Sequence, residues 1–223
     1  MATALKSIKA TPTRTLEGEQ RVVLRDIGWE GYESLLGMVG DGHVRLTFDG
    51  KNVELMSPSL DHDRFKTKLG RLVEVLTEEL NIPCESLGGP TWRLQLKEKG
   101  LEPDECFYLA NSPTAIGRQI DLTIDPPPDL AIEIEISRSI VDRLEIYAAL
   151  GFPEIWRFDG ENLRVERLRL DQTYETIAFS PAFPFLPLEE IVRWLEESQY
   201  IGQTTWIRAF RSWVHTELSP KFP

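Results

Sequence analysis

The most chemically informative segment of the sequence is a strand-like run with carboxylates on one side. Between residues 129 and 136, apolar residues alternate with a second set that includes Asp129, Glu133 and Glu135. Because side chains alternate across a β-strand with period two, these three carboxylates are predicted to project from one face. Neighbouring carboxylates repel one another, and a hard divalent cation such as Mg²⁺ relieves the repulsion by taking oxygen ligands. A strand with one face in water explains the same pattern, and this segment alone favours that simpler interpretation.

A second acidic residue lies in a separate strand-like run. Asp104 follows Pro103 at the start of a segment that ends with Tyr108 and Leu109. If this segment pairs with residues 129–136, Asp104 and Glu133 would converge on one ion. A Pro-Asp pair is also common in turns, so on its own it is weak evidence for a site.

A hairpin and two helices are predicted around these acids. Asp49-Gly50 lies between two alternating runs, which is typical of a β-hairpin. A long apolar stripe at helical spacing predicts a helix that Ser59 or Asp61 caps and that ends near Leu80. A shorter helix is predicted over residues 141–150, where Gly151 ends the pattern.

The remaining elements complete an α/β order. We predict a short helix after Gly28, strands near residues 92–96, 106–109, 154–158, 163–168 and 174–178, an irregular connection over 111–128, and tryptophan-bearing helices packed on the core over 187–198 and 204–215. This order predicts an α/β (α+β) fold with a mixed β-sheet flanked by helices. We expect one domain over residues 23–185, preceded by a polar N-terminal tail (1–22) and extended by C-terminal helices of the same domain (186–223).

Composition narrows the class of protein. The chain has 223 residues, of which 41% are hydrophobic, and it contains no apolar run long enough to span a bilayer. Its N-terminus lacks the apolar centre of a secretory signal, and its two cysteines are expected to be reduced thiols, so a cytoplasmic location is predicted. The net charge of −11 argues against a broad basic surface for nucleic acid, although a local basic groove can coexist with it. The scattered histidines and cysteines fit no zinc site, and no phosphate-binding glycine loop or nucleophile elbow occurs.

Two longer segments resemble a known family. The segments from Pro128 to Ile134 and from Arg143 to Trp156 resemble the signature of a bacterial, often multi-copy family of restriction-endonuclease-like proteins in the PD-(D/E)XK nuclease superfamily. The hairpin, with Met56-Ser57-Pro58-Ser59 and His62 after it, is similar to the N-terminal half of that family. Pro103-Asp104 falls where its first metal-binding acid lies. The resemblance covers residues 25–170.

This resemblance implies a restriction-endonuclease-like fold and metal-dependent hydrolysis of phosphodiester bonds in DNA. Asp104, Glu133 and the backbone carbonyl of Ile134 would bind Mg²⁺ or Mn²⁺, which activates water and stabilises charge on the phosphate. Superfamily members usually carry lysine two residues after the second acid, where this chain has Glu135. The family often moves that lysine to the following helix, where the matching residue is Arg143. Because a guanidinium is a poor general base, Glu135 would orient the water.

Other residues keep two interpretations each. His62 is either a residue at the mouth of the active site or a capping or surface histidine. A set of basic residues forms either a positive rim for a phosphate backbone or an ordinary solvated surface, and this set comprises Arg64, Lys66, Lys68, Arg71, Arg118, Arg138 and Arg143. By analogy with endonucleases of this fold, which often pair subunits to cut both strands, a homodimer through the C-terminal helices is a further expectation.

Two other functional classes were weighed against the nuclease. A non-catalytic protein of the same fold, kept as a binding or scaffold module, is favoured by the isoelectric point near 4.9 and by the missing lysine. A glycosidase that uses two carboxylates as acid and base lacks support in the aromatic spacing near the acids.

Overall fold

Two β-sheets account for the strands of the computed structural model, which describes residues 16–40, 42–110 and 120–219. In chain order the strands are β1 (Gln20–Leu24), β2 (Arg45–Phe48), β3 (Val53–Ser57), β4 (Glu85–Gly88), β5 (Trp92–Leu94), β6 (Lys99–Leu101), β7 (Glu105–Tyr108), β8 (Leu130–Ile134), β9 (Glu154–Phe158), β10 (Leu163–Leu168) and β11 (Tyr174–Ile177). The helices are α1 (Gly28–Val39), α2 (Leu60–Leu80), α3 (Arg143–Leu150), α4 (Leu188–Glu197) and α5 (Gln203–Trp213).

The two sheets differ in strand direction. The first has the order β1-β3-β2-β6-β5 and is antiparallel throughout. The second has the order β11-β10-β9-β8-β7-β4 and is mixed, because β8 and β9 run parallel with α3 as their crossover. The prediction of an α+β fold with a mixed sheet flanked by helices is confirmed. The separate antiparallel sheet is an addition that the order of elements did not reveal.

The hairpin β2–β3 follows from its turn residues. Gly50 has φ 95°, a left-handed conformation that favours glycine. The carboxylate of Asp49 accepts hydrogen bonds from the backbone N–H groups of Lys51 (2.9 Å) and Asn52 (2.7 Å). These contacts fix the register Phe48↔Val53 and place Thr47 and Glu54 on paired strands of the first sheet.

Helix α2 begins and ends at the predicted signals. The Ser59 hydroxyl is the N-cap and accepts from the backbone N–H of His62 at 3.2 Å. The helix ends at Asn81, which adopts the left-handed conformation with φ 53°. Its buried stripe packs against β8, and this packing places His62, in the first turn, at the edge of the sheet.

Strand β8 is covered on both faces. Leu130, Ile132 and Ile134 pack on the core that contains α2, whereas Ala131 packs on a second cluster with α3 residues such as Ile146. The interpretation of this strand as having one face in water is therefore wrong, since residues of α3 pack over that face.

The C-terminal helices contribute core rather than an open aromatic surface. Trp194, Trp206 and Phe210 are buried, and Trp206 Nε1 donates to the Trp194 carbonyl at 2.7 Å. The prediction that these aromatics are core packing is confirmed. A π-helical turn, Val214–Leu218, continues α5. The homodimer through these helices stays a prediction.

Strand β1 includes the last residues of the segment expected to be a polar tail, and it pairs with β3 through Arg21↔Met56. Residues 1–15 of that tail lie outside the described residues, as do residues 111–119 of the connection, with Arg118. Among the described helices, none is both long and apolar enough to cross a membrane. Cys84 and Cys106 are free thiols, as expected.

Candidate active site

Asp104 directly precedes β7, and Glu133 lies on the neighbouring strand β8 of the mixed sheet. The antiparallel pairing of β7 and β8 sets Glu105 opposite Ile132, and the backbone N–H of Asp104 donates to the Ile132 carbonyl at 3.1 Å. Asp104 Oδ2 in turn accepts from the backbone N–H of Ile134 at 2.7 Å. Both residues are buried, since only 1% of the surface of Asp104 and 4% of the surface of Glu133 is exposed. The structure thus brings together the two acids that the sequence pointed to.

Glu133 is held from helix α3. Its Oε1 accepts from Arg143 Nη2 at 2.5 Å and from the hydroxyl of Tyr147. Burial raises the pKa of Glu133 to about 7, with Arg143 opposing the rise and the nearby Asp104 carboxylate adding to it. Arg143 and Tyr147 are four residues apart on one face of α3, so a single helix turn supplies both donors.

Arg143 connects the two sheets. Besides Glu133, its guanidinium donates to the Thr47 hydroxyl on β2 and to the Glu102 carbonyl at 2.9 Å. The residue is 6% exposed, and its pKa is raised well above the usual arginine value because Glu133 outweighs burial. Arg143 is therefore a permanent buried cation, which suits charge stabilisation and excludes a role as a base.

His62 lies between two carboxylates. Its Nε2 is 2.8 Å from Asp104 Oδ1, and its Nδ1 is 2.8 Å from Glu19 Oε1. Although burial lowers the pKa of His62, hydrogen bonds to Asp104 and Glu19 raise it to about 9. At neutral pH the ring is thus protonated and donates to both acids. The same contacts outweigh burial to lower the pKa of Asp104 and to bring that of Glu19 to about 2. Of the two interpretations of His62, a surface histidine is wrong.

Two glutamates that the sequence did not single out hold the loop after β8. Glu19 accepts from the backbone N–H groups of Ile136 (3.0 Å) and Ser137 (2.5 Å). Glu54 accepts from the backbone N–H of Ile140 at 2.7 Å and from the Ser139 hydroxyl at 2.9 Å. Arg21 Nη1 completes the set with a 2.7 Å contact to Glu54. The sequence marks each of these glutamates only as an acidic residue in or beside a strand-like segment, and this pattern is too common to identify a residue that holds a loop.

The three carboxylates of the strand 129–136 do not converge. Asp129 Oδ2 accepts from the backbone N–H groups of Leu109 and Ala110, at the end of β7. Glu135 pairs with Arg157 of β9 at 2.7 Å. The expectation of one shared acidic face is corrected, because each carboxylate is neutralised by donors of a different neighbour.

The carboxylates of the candidate site decide whether the divalent metal implied by the resemblance fits this chain. No three His, Cys, Asp or Glu side chains are arranged to hold an ion in the described parts of the chain. Asp104 and Glu133 supply hard oxygen donors of the kind that Mg²⁺ prefers, and the pairing of Glu105 with Ile132 places them next to each other. The two carboxylates fit a divalent ion in donor type and in their closeness. The ion would have to compete with Arg143 for the carboxylate of Glu133.

The basic residues of α2 do not form a free positive rim. Lys66 lies 3.7 Å from Glu105, Arg71 3.0 Å from Glu74 and Arg64 3.5 Å from Asp61. Lys68 donates to the Ser198 carbonyl at 2.6 Å. The expectation of a rim there is corrected: these charges are bound to partners along the helix and beside it.

Comparison with protein families decides the membership of the chain. The model of the Uma2 family, described as "Putative restriction endonuclease", matches residues 29–199. The chain belongs to the Uma2 family. This confirms the resemblance to a restriction-endonuclease-like family. No curated protein matches the chain. Among solved structures, the chain is similar to a putative nuclease belonging to DUF820 from Anabaena variabilis ATCC 29413, with 17% identity and a TM-score of 0.49 over 68% of this chain and 90% of that one.

The Uma2 match includes most of the site but not all of it. His62, Asp104, Glu133 and Arg143 lie inside the matched residues 29–199, whereas Glu19 lies before them. The partner of His62 on its second ring nitrogen therefore comes from a segment that the Uma2 match does not cover.

Proposed function

We propose that this protein is a metal-dependent endonuclease that hydrolyses phosphodiester bonds in DNA at Asp104 and Glu133. The observation that carries the proposal is the buried carboxylate pair at the start of β7 and on β8 in a member of the Uma2 family. Asp104, Glu133 and the backbone carbonyl of Ile134 would hold Mg²⁺ or Mn²⁺, which would supply Lewis acidity to activate water and to neutralise charge on the phosphate.

The protein's own groups keep Asp104 ready to bind a cation. His62 and the Ile134 N–H each bind a different oxygen of Asp104, and both interactions favour the ionised carboxylate. Glu19 fixes the imidazole from the other side. His62 is thus a positioning residue in this proposal, because it orients Asp104 rather than the substrate.

Glu133 and Glu135 have separate tasks in the proposal. Glu133 has a pKa near neutrality, so it loses its proton when a cation arrives. Glu135 lines the cavity next to Arg143 and orients the attacking water, while Arg157 holds it in an ion pair at 2.7 Å. Arg143 stabilises negative charge on Glu133 and on the phosphate without exchanging a proton.

The competing proposal is an inactive protein of this fold that serves as a binding or scaffold module. The observation that favours it is the pairing of Glu133 with Arg143 and Tyr147, which compensates the second acid without an ion. A cation has to compete with both donors for that carboxylate.

The decisive experiment is plasmid cleavage with Mg²⁺, Mn²⁺ or EDTA. We expect nicking by the parent with metal, at least a hundredfold less with Asp104→Asn or Glu133→Gln (roughly 3 kcal/mol of transition-state stabilisation), and none with EDTA. Glu196→Gln, an exposed carboxylate on α4, is the matched control and is expected to cut like the parent. Cleavage that persists in both acid variants would show that the site lies elsewhere. Absence of cleavage together with no saturable Mn²⁺ uptake by calorimetry would establish the inactive protein.

A further inference from the structure

A cavity of about 450 Å³ opens beside the carboxylate pair and is lined by three arginines. Arg143 is the first residue of α3, Arg157 lies on β9, and Arg138 lies on the loop that follows β8. We refer to it as the arginine cavity. Its volume is within the range of small-ligand sites, and it shares Arg143 with the candidate active site.

The charges around the arginine cavity favour an anion. Its two carboxylates already have donors, since Glu135 pairs with Arg157 and Asp142 caps the backbone N–H of Glu145 at 3.2 Å. Arg138 is exposed and makes no ion pair with any described residue. The lining of the cavity thus includes one cation that no carboxylate of the described residues compensates.

Two of the three guanidinium groups also keep an unused donor. Within the described residues, the buried Nε atoms of Arg143 and Arg157 have no hydrogen-bond partner. A buried donor without an acceptor is unfavourable, so both side chains gain from negative charge placed nearby, although the Nε atoms themselves are not open to solvent.

The loop that carries Arg138 is fixed in advance. Ser137 is bound by Glu19, and Ser139 is bound by Glu54, so both neighbours of Arg138 are anchored to buried carboxylates. The Arg138 backbone is therefore held while its side chain stays free. Such an arrangement lowers the entropic cost of binding a ligand at the cavity.

We infer that the arginine cavity is an anion subsite that holds a phosphate of the substrate backbone next to the phosphate cleaved at Asp104 and Glu133. The identity of the anion rests on the proposed function, whereas the binding of an anion does not. Arginine suits this task because its planar fork matches two phosphate oxygens.

The first test measures binding without turnover. A labelled DNA duplex of about 20 base pairs is titrated in EDTA and followed by fluorescence anisotropy. Arg138→Gln is expected to weaken binding roughly fivefold to tenfold and to lower the salt slope by about 1. Arg208→Gln is the control, since Arg208 is exposed on α5, lies outside the cavity and has no ion pair in the described structure. It is expected to change binding by less than about twofold.

The second test uses inorganic phosphate, so that the subsite and the nuclease proposal can fail separately. Arginine Nε–H signals of Arg143 and Arg157 are followed by NMR during the titration. Saturable shifts in the parent that weaken in Arg138→Gln support the subsite. Such shifts without any duplex binding would keep an anion site but overturn a nucleic-acid backbone as its ligand. Unmoved arginine signals, or equal weakening by Arg138→Gln and Arg208→Gln, would overturn the subsite whether or not the protein cuts plasmid.

Discussion

The guanidinium of Arg143 donates to the carboxylate of Glu133 across a 2.5 Å contact in the interior of the protein. The chain places this cation at the first residue of α3 rather than directly after β8, where Glu135 lies. Tyr147, one turn later on α3, binds the same oxygen of Glu133. Helix α3 therefore carries the groups that control the charge of Glu133. Arg143 also binds the Thr47 hydroxyl and the Glu102 carbonyl, and these contacts hold the start of α3 against the first sheet.

Replacing Arg143 tests whether this cation fills the place of the superfamily lysine. Arg143→Lys keeps the charge, so we expect cleavage at the parent level or above. Arg143→Gln leaves Glu133 without its cation and should reduce the free energy of unfolding by about 3–5 kcal/mol, together with cleavage. Plasmid nicking and urea unfolding measure the two effects. Arg167→Lys, in an exposed pair with Glu175, is the control with little expected change. A large loss of cleavage in a stably folded Arg143→Lys would mean that the guanidinium has another role.

Tyr147→Phe tests the proton affinity of Glu133. The Tyr147 hydroxyl favours the ionised carboxylate, so its removal should raise the pKa of Glu133 above its value of about 7. Because a cation needs the ionised form, the affinity for Mn²⁺ should rise with pH through about 7 in the parent and at higher pH in Tyr147→Phe. Calorimetric Mn²⁺ titrations across pH measure the shift.

A second tyrosine provides the control for that experiment. The Tyr174 hydroxyl donates to the Phe152 carbonyl at 2.5 Å and does not contact Glu133. Both phenylalanine variants should lose about 1–2 kcal/mol of stability, but only Tyr147→Phe should move the pH dependence. An identical Mn²⁺ profile in parent and Tyr147→Phe would contradict the assignment of Glu133 as a ligand or of Tyr147 as its modulator.

The elements of the fold were predictable where the signal is local. The Asp49-Gly50 turn and the alternation around Ile132 depend on neighbours in sequence, and both elements occur as predicted. The burial of the acidic face was not predictable, because it depends on α3 packing over it. Helical spacing from Arg143 could have identified Tyr147. Glu19 could not have been found, since its contact to Ser137 joins residues 118 positions apart.

Stability should depend on pH through His62 and its two carboxylates. The pKa of His62 is about 9 in the fold and about 6.5 in an unfolded chain. The stabilisation by protonated His62 is therefore complete below pH ~6.5 and is lost as pH rises through about 9. Glu19, with a folded pKa of about 2 and a usual value near 4.5, contributes stability above pH 4.5 that is lost as pH falls towards 2.

Denaturant unfolding of parent and His62→Gln, both in EDTA, isolates the histidine contribution. The difference in free energy of unfolding should be on the order of 3 kcal/mol near pH 6 and should shrink steadily towards pH ~9. Taking the difference also removes the trend from Glu133, whose raised pKa likewise lowers stability as pH rises from the usual carboxylate range to about 7. A difference that stays constant over this range would show that His62 is not protonated between Glu19 and Asp104.

Glu54→Gln tests whether the loop after β8 is held by the first sheet. Glu54 is 1% exposed and receives Arg21, the Ser139 hydroxyl and the Ile140 N–H. The amide keeps the shape of the side chain but presents an N–H₂ group where an acceptor is needed, so one donor contact becomes a repulsion. We expect a loss of about 2–4 kcal/mol in stability and faster hydrogen exchange at the Ile140 amide.

In this variant the loop that lines the arginine cavity is less well fixed, whereas the positions of Asp104 and Glu133 are not expected to change. DNA binding in EDTA should therefore weaken in Glu54→Gln, whereas the uptake of Mn²⁺ should stay near the parent level. Glu154→Gln is a matched control, because it is also a buried glutamate on a strand but contacts Ser180 and Ala182 rather than the loop or the cavity. The hydrogen bond to Glu54 protects the Ile140 amide from exchange. Unchanged exchange at Ile140 in Glu54→Gln would therefore show that the loop is held without this carboxylate.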